Sequence, residues 1–154
     1  MAALEDLDDR APVLIGVGTA HRGLGVDGTG VSPDDPEPVT LMVEAALAAV
    51  DDSRAEQPDV LRAATGLVAV PQGNWSYADP ARLVAGGVGA GRARTVLVEI
   101  GVPQSTPIRV AVERIRRGEL DAALVVGGEA KATQQRLARA GREPVESDQG
   151  AVVP

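Results

Sequence analysis

Gly118-Glu119-Leu120-Asp121-Ala122-Ala123-Leu124-Val125-Val126-Gly127-Gly128-Glu129-Ala130 is the stretch on which the fold turns. Its apolar run is continuous rather than alternating, the pattern of a strand buried on both faces. Gly118 ends whatever helix precedes it. Upstream, Thr106-Pro107 supplies a cap and a first-turn proline, and Ile108, Ala111, Val112 and Ile115 recur at helical spacing as far as Arg117. A one-striped helix feeding a doubly buried strand is half of a parallel-sheet unit.

The same alternation extends toward the amino terminus. Thr95–Ile100 and Gly66–Val70 read as buried strands, the latter stopped by Pro71-Gln72-Gly73. Asp79-Pro80 opens a short helix over Leu83-Val84, which Gly86-Gly87 is expected to close. Asp35-Pro36-Glu37 reads as a cap, a first-turn proline and a first-turn acid for a helix whose stripe is Val39, Met42, Val43, Ala46 and Val50, ending near Asp51-Asp52-Ser53. Pro12 leads into Val13-Leu14-Ile15-Gly16-Val17, a first buried strand, and a Gly- and Pro-rich loop runs from 18 to 38. A polar helix is expected over Thr133–Arg139. The fold class is therefore α/β, a mainly parallel sheet of about four strands flanked by helices and joined by right-handed crossovers. Ligands in such sheets sit beyond the strands' carboxyl ends, here 18–25, 71–77, 101–106 and 127–131.

With 154 residues, 44% of them apolar and 24% charged, the chain suits one globular domain. The formal charge of −7 opposes nucleic acid and anionic lipid as partners. No apolar run reaches the roughly 20 residues that span a bilayer, and the acidic amino terminus is unlike a secretory leader. No membrane insertion and a cytoplasmic location are expected. The absence of cysteine removes disulfides, thiolate metal sites and a sulfur nucleophile.

Gly16-Val17-Gly18-Thr19-Ala20-His21 follows a strand but is not followed directly by a helix, so the pyrophosphate motif is incomplete. His21 is the only histidine and hence the only imidazole base. Without a companion acidic cluster it makes no metal site, and no metal or cofactor is expected. Trp75 and Tyr77, at a strand end, are candidates to line a pocket together with His21, Gly127, Gly128 and Glu129. The turn before the Thr106 helix is the best chemical candidate, because a helix amino end presents unpaired amides to an oxyanion. Gly101, Val102, Ser105 and Thr106 form that turn. Helix capping is the competing reading of both hydroxyls.

Four segments in order resemble the amino-terminal part of the thiolase superfamily: Arg10–Gly18, Glu37–Ala46, Trp75–Val84 and Gly118–Ala130. They are most similar to the acetyl-CoA acetyltransferase branch near the sterol-carrier-type thiolases, over residues 10 to about 142. The resemblance implies a subunit of two similar halves and acyl transfer between CoA thioesters through a cysteine at the start of a buried helix. That helix corresponds to Thr106–Arg117, and the nucleophile position falls near Gly101, where there is no cysteine. A histidine and a second cysteine belong to the family's other half, which these residues do not supply. The expectation is an incomplete thiolase-like domain at 1–142 followed by an acidic tail at 143–154, inactive as an isolated chain. Acyl-CoA is its expected substrate rather than a cofactor. The resemblance also implies a homo-oligomer or companion chain joined through Thr95–Ile100. The alternative is a non-catalytic binding or structural subunit, and a small nucleotide-binding domain is a third, weaker reading.

Overall fold

A computed structural model describes residues 8–22, 36–99, 101–103, 105–143 and 146–149. The elements are α1 (Pro38–Asp52), α2 (Pro58–Ala64), β1 (Thr65–Pro71), α3 (Pro80–Val88), β2 (Arg94–Val98), α4 (Thr106–Arg116), β3 (Ala122–Val125) and α5 (Lys131–Arg139). Three parallel strands form a sheet in the order β2-β1-β3. The α/β class and the helix-flanked parallel sheet are as the sequence implies, with three strands among the described residues in place of about four.

The continuous apolar run explains the central strand. Leu67, Val68, Ala69 and Val70 of β1 are all buried, so both faces are covered. One face carries the main core, where Val68 and Val70 meet Met42 and Ala46 of α1 and Ala81, Val84 and Ala85 of α3. The path from β1 through α3 to β2 runs outward and the path from β2 through α4 to β3 runs back. Right-handed crossovers then put α3 and α4 on opposite faces, and α1 packs on α3.

Several boundaries move for identifiable reasons. Helix α3 does not stop at Gly86-Gly87 but runs to Val88. Gly87 lies so close to α1 that a Cβ there would come within 2.6 Å of a Val43 methyl. The helix closes instead at Gly89, with φ 81°, through Ala90 N–H to Ala85 O and Gly89 N–H to Gly86 O. Helix α1 begins at Pro38 with Glu37 at its N-cap, so that Glu37 is not a first-turn acid, and Asp35 lies outside the described residues. Helix α2 has no counterpart in the sequence reading; it is about two turns with no buried residue. Strand β3 ends at Val125, whereas the apolar run and its glycines read as a strand over Ala122–Gly128, and Ile100 at the end of the expected strand Thr95–Ile100 lies outside the described residues.

The largest correction concerns Val13–Val17, which forms no strand. Gly16 and Gly18 press on α1, where a Cβ would fall 2.1 Å from the carbonyl oxygens of Ala49 and Ala45 respectively. Val17 N–H donates to Asp52 Oδ2 at 2.9 Å instead of to a neighbouring strand. Residues 23–35 of the expected loop lie outside the described residues.

Candidate functional site

The carboxyl ends of the strands are tied together by backbone. Gln72 N–H donates to Val98 O at 2.7 Å and Val126 N–H to Ala69 O at 3.1 Å, so the segments after β1, β2 and β3 leave from one rim. Trp75 and Tyr77, on the segment after β1, turn inward and are each 6% exposed. Their ring centroids are 5.4 Å apart at a 43° tilt, a favourable aromatic contact. Each polar tip has a partner, as buried aromatics require. Trp75 Nε1 donates to Gly128 O at 3.1 Å, and the Tyr77 hydroxyl donates to Glu37 Oε2 at 2.8 Å.

Glu129 closes the same corner by accepting from Asn74 N–H at 2.8 Å, and Gln134 of α5 donates to Asn74 O at 2.8 Å. Gly73 makes room for this arrangement, since a Cβ there would lie 2.3 Å from Trp75 Nε1 and 2.5 Å from Glu129 Oε1. The structure thus brings Trp75, Tyr77, Gly128 and Glu129 together, but as a packed and bonded corner.

Sequence reasoning missed the groups that complete this corner. Glu37 accepts from the Tyr77 hydroxyl and, at 2.6 Å each, from Ser147 N–H and Ser147 Oγ. Glu146 Oε2 accepts from Ser76 N–H at 2.8 Å. Gln149 bonds both backbone groups of Asp79, at 2.8 and 2.6 Å. Residues 146–149 therefore form a clasp over the loop after β1. Burial, the hydrogen bond to Glu37 and that carboxylate's charge together push the Tyr77 phenol far above its ordinary value. Asp79 was anticipated as a helix opener, and its Oδ1 accepts from Arg82 N–H at 2.9 Å while Oδ2 takes the Thr95 hydroxyl at 2.9 Å.

The second candidate region lies where β2 passes into α4. Gly101 has φ 95°, a conformation that favours glycine, and a Cβ there would meet nothing within 4 Å. Gly101, Val102 and Ser105 are exposed. Ser105 occupies the N-cap without a side-chain capping bond. Among the described residues no His, Asp or Glu is hydrogen-bonded to the Ser105 or Thr106 hydroxyl, so neither has a base to activate it. One first-turn amide is spent on Thr106 N–H to Pro103 O at 2.8 Å, and Pro107 has none to offer. The helix behind this turn is only partly covered, for Pro107 and Ala111 are buried while Ile108 is not.

The remaining candidates stand apart from these contacts. His21 is exposed, and its neighbour Arg22 ion-pairs with Glu44 of α1 at 2.6 Å. Gly127 is exposed and lies against Pro71, the last residue of β1. Among the described residues no group of three or more His, Asp or Glu side chains gathers to hold a metal ion, and no helix is long and apolar enough to cross a membrane.

This arrangement of strands and helices is shared with solved structures. The chain matches a monomeric SCP2-thiolase-like protein type 1 from Mycobacterium smegmatis with a TM-score of 0.60 and 27% identity, over 79% of this chain. It matches the priming β-ketosynthase of a polyketide biosynthetic pathway with a TM-score of 0.57 and 15% identity over 74% of this chain. It matches OleA from Xanthomonas campestris with a TM-score of 0.53 and 23% identity over 64% of this chain. No family model and no curated protein matches. The fold is that of the thiolase superfamily. Within it, the chain spans only 24% of the SCP2-thiolase-like protein, 40% of the ketosynthase and 29% of OleA.

Proposed function

We propose that this chain is the amino-terminal part of a thiolase-like acyl-CoA acyltransferase, of the acetyl-CoA acetyltransferase kind, and that it handles CoA thioesters without transferring acyl groups by itself. The observation that carries this reading is the passage from β2 through Gly101 into α4. It provides the strand, turn and helix that the family resemblance associates with the nucleophile, in a chain without cysteine. Loss of a covalent nucleophile costs several powers of ten in rate, and what remains of such a site is binding and amide polarisation.

The test adds acetyl-CoA, acetoacetyl-CoA and, separately, nucleotides to the purified chain while following thermal stability and thiolysis. Stabilisation by CoA thioesters alone, without thiolysis, is the expected result. Acetoacetyl-CoA cleavage that disappears when residues 101–106 are altered would overturn it.

A second reading, a non-catalytic subunit, is favoured by one observation. Strand β2 lies at the border of the described sheet, so the outer side of Thr95–Val98 has no strand partner there. This makes Thr95–Val98 the proposed seam for a second copy or a companion chain. Monomeric behaviour in sedimentation at all concentrations, with no change on charging the seam by Val96→Lys, would remove that reading.

A further inference from the structure

Three residues of the 146–149 clasp each meet one receiving residue. Glu146 Oε2 accepts from Ser76 N–H at 2.8 Å. Ser147 gives its N–H and its hydroxyl to the two oxygens of Glu37, at 2.6 Å each. Gln149 pairs its side-chain amide with both backbone groups of Asp79, at 2.8 and 2.6 Å. The contact therefore reads glutamate, serine and glutamine at the first, second and fourth places of a short segment.

The receiving side is held in place independently of that segment. Glu37 is the N-cap residue of α1, where its carbonyl accepts from Thr40 N–H at 3.1 Å, and its carboxylate also accepts from the Tyr77 hydroxyl at 2.8 Å. Asp79 is the N-cap residue of α3, and its carboxylate is fixed by Arg82 N–H and the Thr95 hydroxyl. Ser76 lies between Trp75 and Tyr77, both buried. Two helix starts and an aromatic pair thus preorganise the receiving groups, which lowers the cost of binding from outside.

The segment brings nothing that fastens it permanently. Glu146-Ser147-Asp148-Gln149 has no apolar side chain. Among the described residues no ion pair involves Glu37 or Glu146. The charges of both carboxylates act on the Tyr77 phenol, so like charges meet in the contact. Gly141–Glu143, which lead in from α5, are exposed. A polar contact of this kind stays occupied through its tether, which acts as a local concentration on the order of millimolar. The same four residues on another copy carry the same pattern and lack only the tether.

We propose that Glu37, Ser76 and Asp79 form a docking site for a short acidic peptide of the pattern Glu-Ser-x-Gln, and that a second copy of this chain supplies it, the two copies exchanging residues 146–149 reciprocally. The site is distinct from the border of β2, because it reads side chains and single backbone groups rather than a strand edge.

The full chain serves in every arm of the test. Ser147→Ala combined with Gln149→Ala strips the segment and vacates the site, and a labelled peptide of residues Glu143–Gly150 is titrated into that variant. Its fluorescence anisotropy should saturate in the millimolar range, with at least tenfold weaker binding to the unaltered chain, whose own segment competes. Mixing the vacated variant with Glu37→Ala, which keeps the segment and loses its receiving carboxylate, should give in sedimentation a complex that neither forms alone. The peptide arm stands even where Glu37→Ala folds poorly. Absence of saturation up to about 10 mM, roughly ten times the concentration the tether supplies, overturns the proposal. Equal affinity for the vacated and unaltered chains also overturns it, since the peptide then sits elsewhere. A folded Glu37→Ala chain that gives no complex overturns the exchange between copies, as does a complex that Val96→Lys abolishes, which places the contact at β2.

Discussion

Glu37 joins three parts of the chain that are far apart in sequence, and removing it alone is the sharpest test of how the clasp works. Its carboxylate holds the Tyr77 hydroxyl at 2.8 Å and both donors of Ser147 at 2.6 Å. The two kinds of bond differ in weight. Ser147 is exposed, so water replaces its partner at little cost, about 0.5 kcal/mol for each bond. Tyr77 is 6% exposed, and a hydroxyl stranded there costs about 1–3 kcal/mol. Glu37→Ala is therefore expected to destabilise the chain by about 2–4 kcal/mol. Tyr77→Phe removes donor and need together and should cost only about 1 kcal/mol. In the double variant the stranded hydroxyl is gone, so the coupling between the two sites should be about 1–2 kcal/mol. Urea unfolding of the four proteins, followed by Trp75 fluorescence with unchanged denaturant slopes, measures this cycle. Additivity within 0.3–0.5 kcal/mol would refute the assignment of the main contribution to the buried tyrosine bond.

Four further outcomes follow from contacts described above. The Tyr77 phenol is held neutral well above the ordinary tyrosine value of about 10, so the folded state keeps a proton that the unfolded state sheds. Its stabilising contribution is complete below that pH and is lost as pH rises beyond it. Because the chain has one tyrosine, tyrosinate absorbance reads this residue alone, and half-ionisation near pH 10 in the intact fold would contradict the expectation. Met42→Ala, at a position 0% exposed, should lower stability by about 2–5 kcal/mol in chemical denaturation. Gly128→Ala places a Cβ 2.8 Å from Met42 Cγ and 3.3 Å from Pro38 O, costing about 1–3 kcal/mol alone and less in the Met42→Ala background, where space is free. Gly101→Ala should cost about 1 kcal/mol through backbone conformation alone, and a larger loss on thermal unfolding would mean that a Cβ at 101 meets a neighbour.

What was legible in the residues is what depends on near neighbours. Gly66–Val70 and Ala122–Gly128 could be read as buried strands from their unbroken apolar runs, the latter three residues too long, and α4 from its stripe and its stop at Gly118. Val13–Val17 carries the same signature, and there the inference missed the described position. Its described position is set by the close approach of Gly16 and Gly18 to α1 and by the bond from Val17 N–H to Asp52, 35 residues later, which no local pattern reports. Gly86-Gly87 misled for a similar reason, since Val43 needs that glycine for close helix contact. At the candidate site, Trp75 and Tyr77 were recognisable as aromatics at a strand end. Their partners were not, because Glu37 and Ser147 lie 110 residues apart, Glu37 reads locally as a helix-start acid, and Ser147 belongs to no motif. The turn at Gly101 was legible as a helix amino end, while its spent amide and missing base required the fold.

The pairing of the only tryptophan with the only tyrosine also determines what an optical experiment can see. Excitation absorbed by the phenol passes to the indole across so short a gap, so the protein's native emission comes from a single address at the rim of the sheet. A ligand or companion that disturbs the 146–149 clasp would alter that emission, whereas rearrangements along the outer side of β3 would pass unseen unless a dye is placed there. Silence in such a titration therefore describes one neighbourhood and does not speak for the whole molecule.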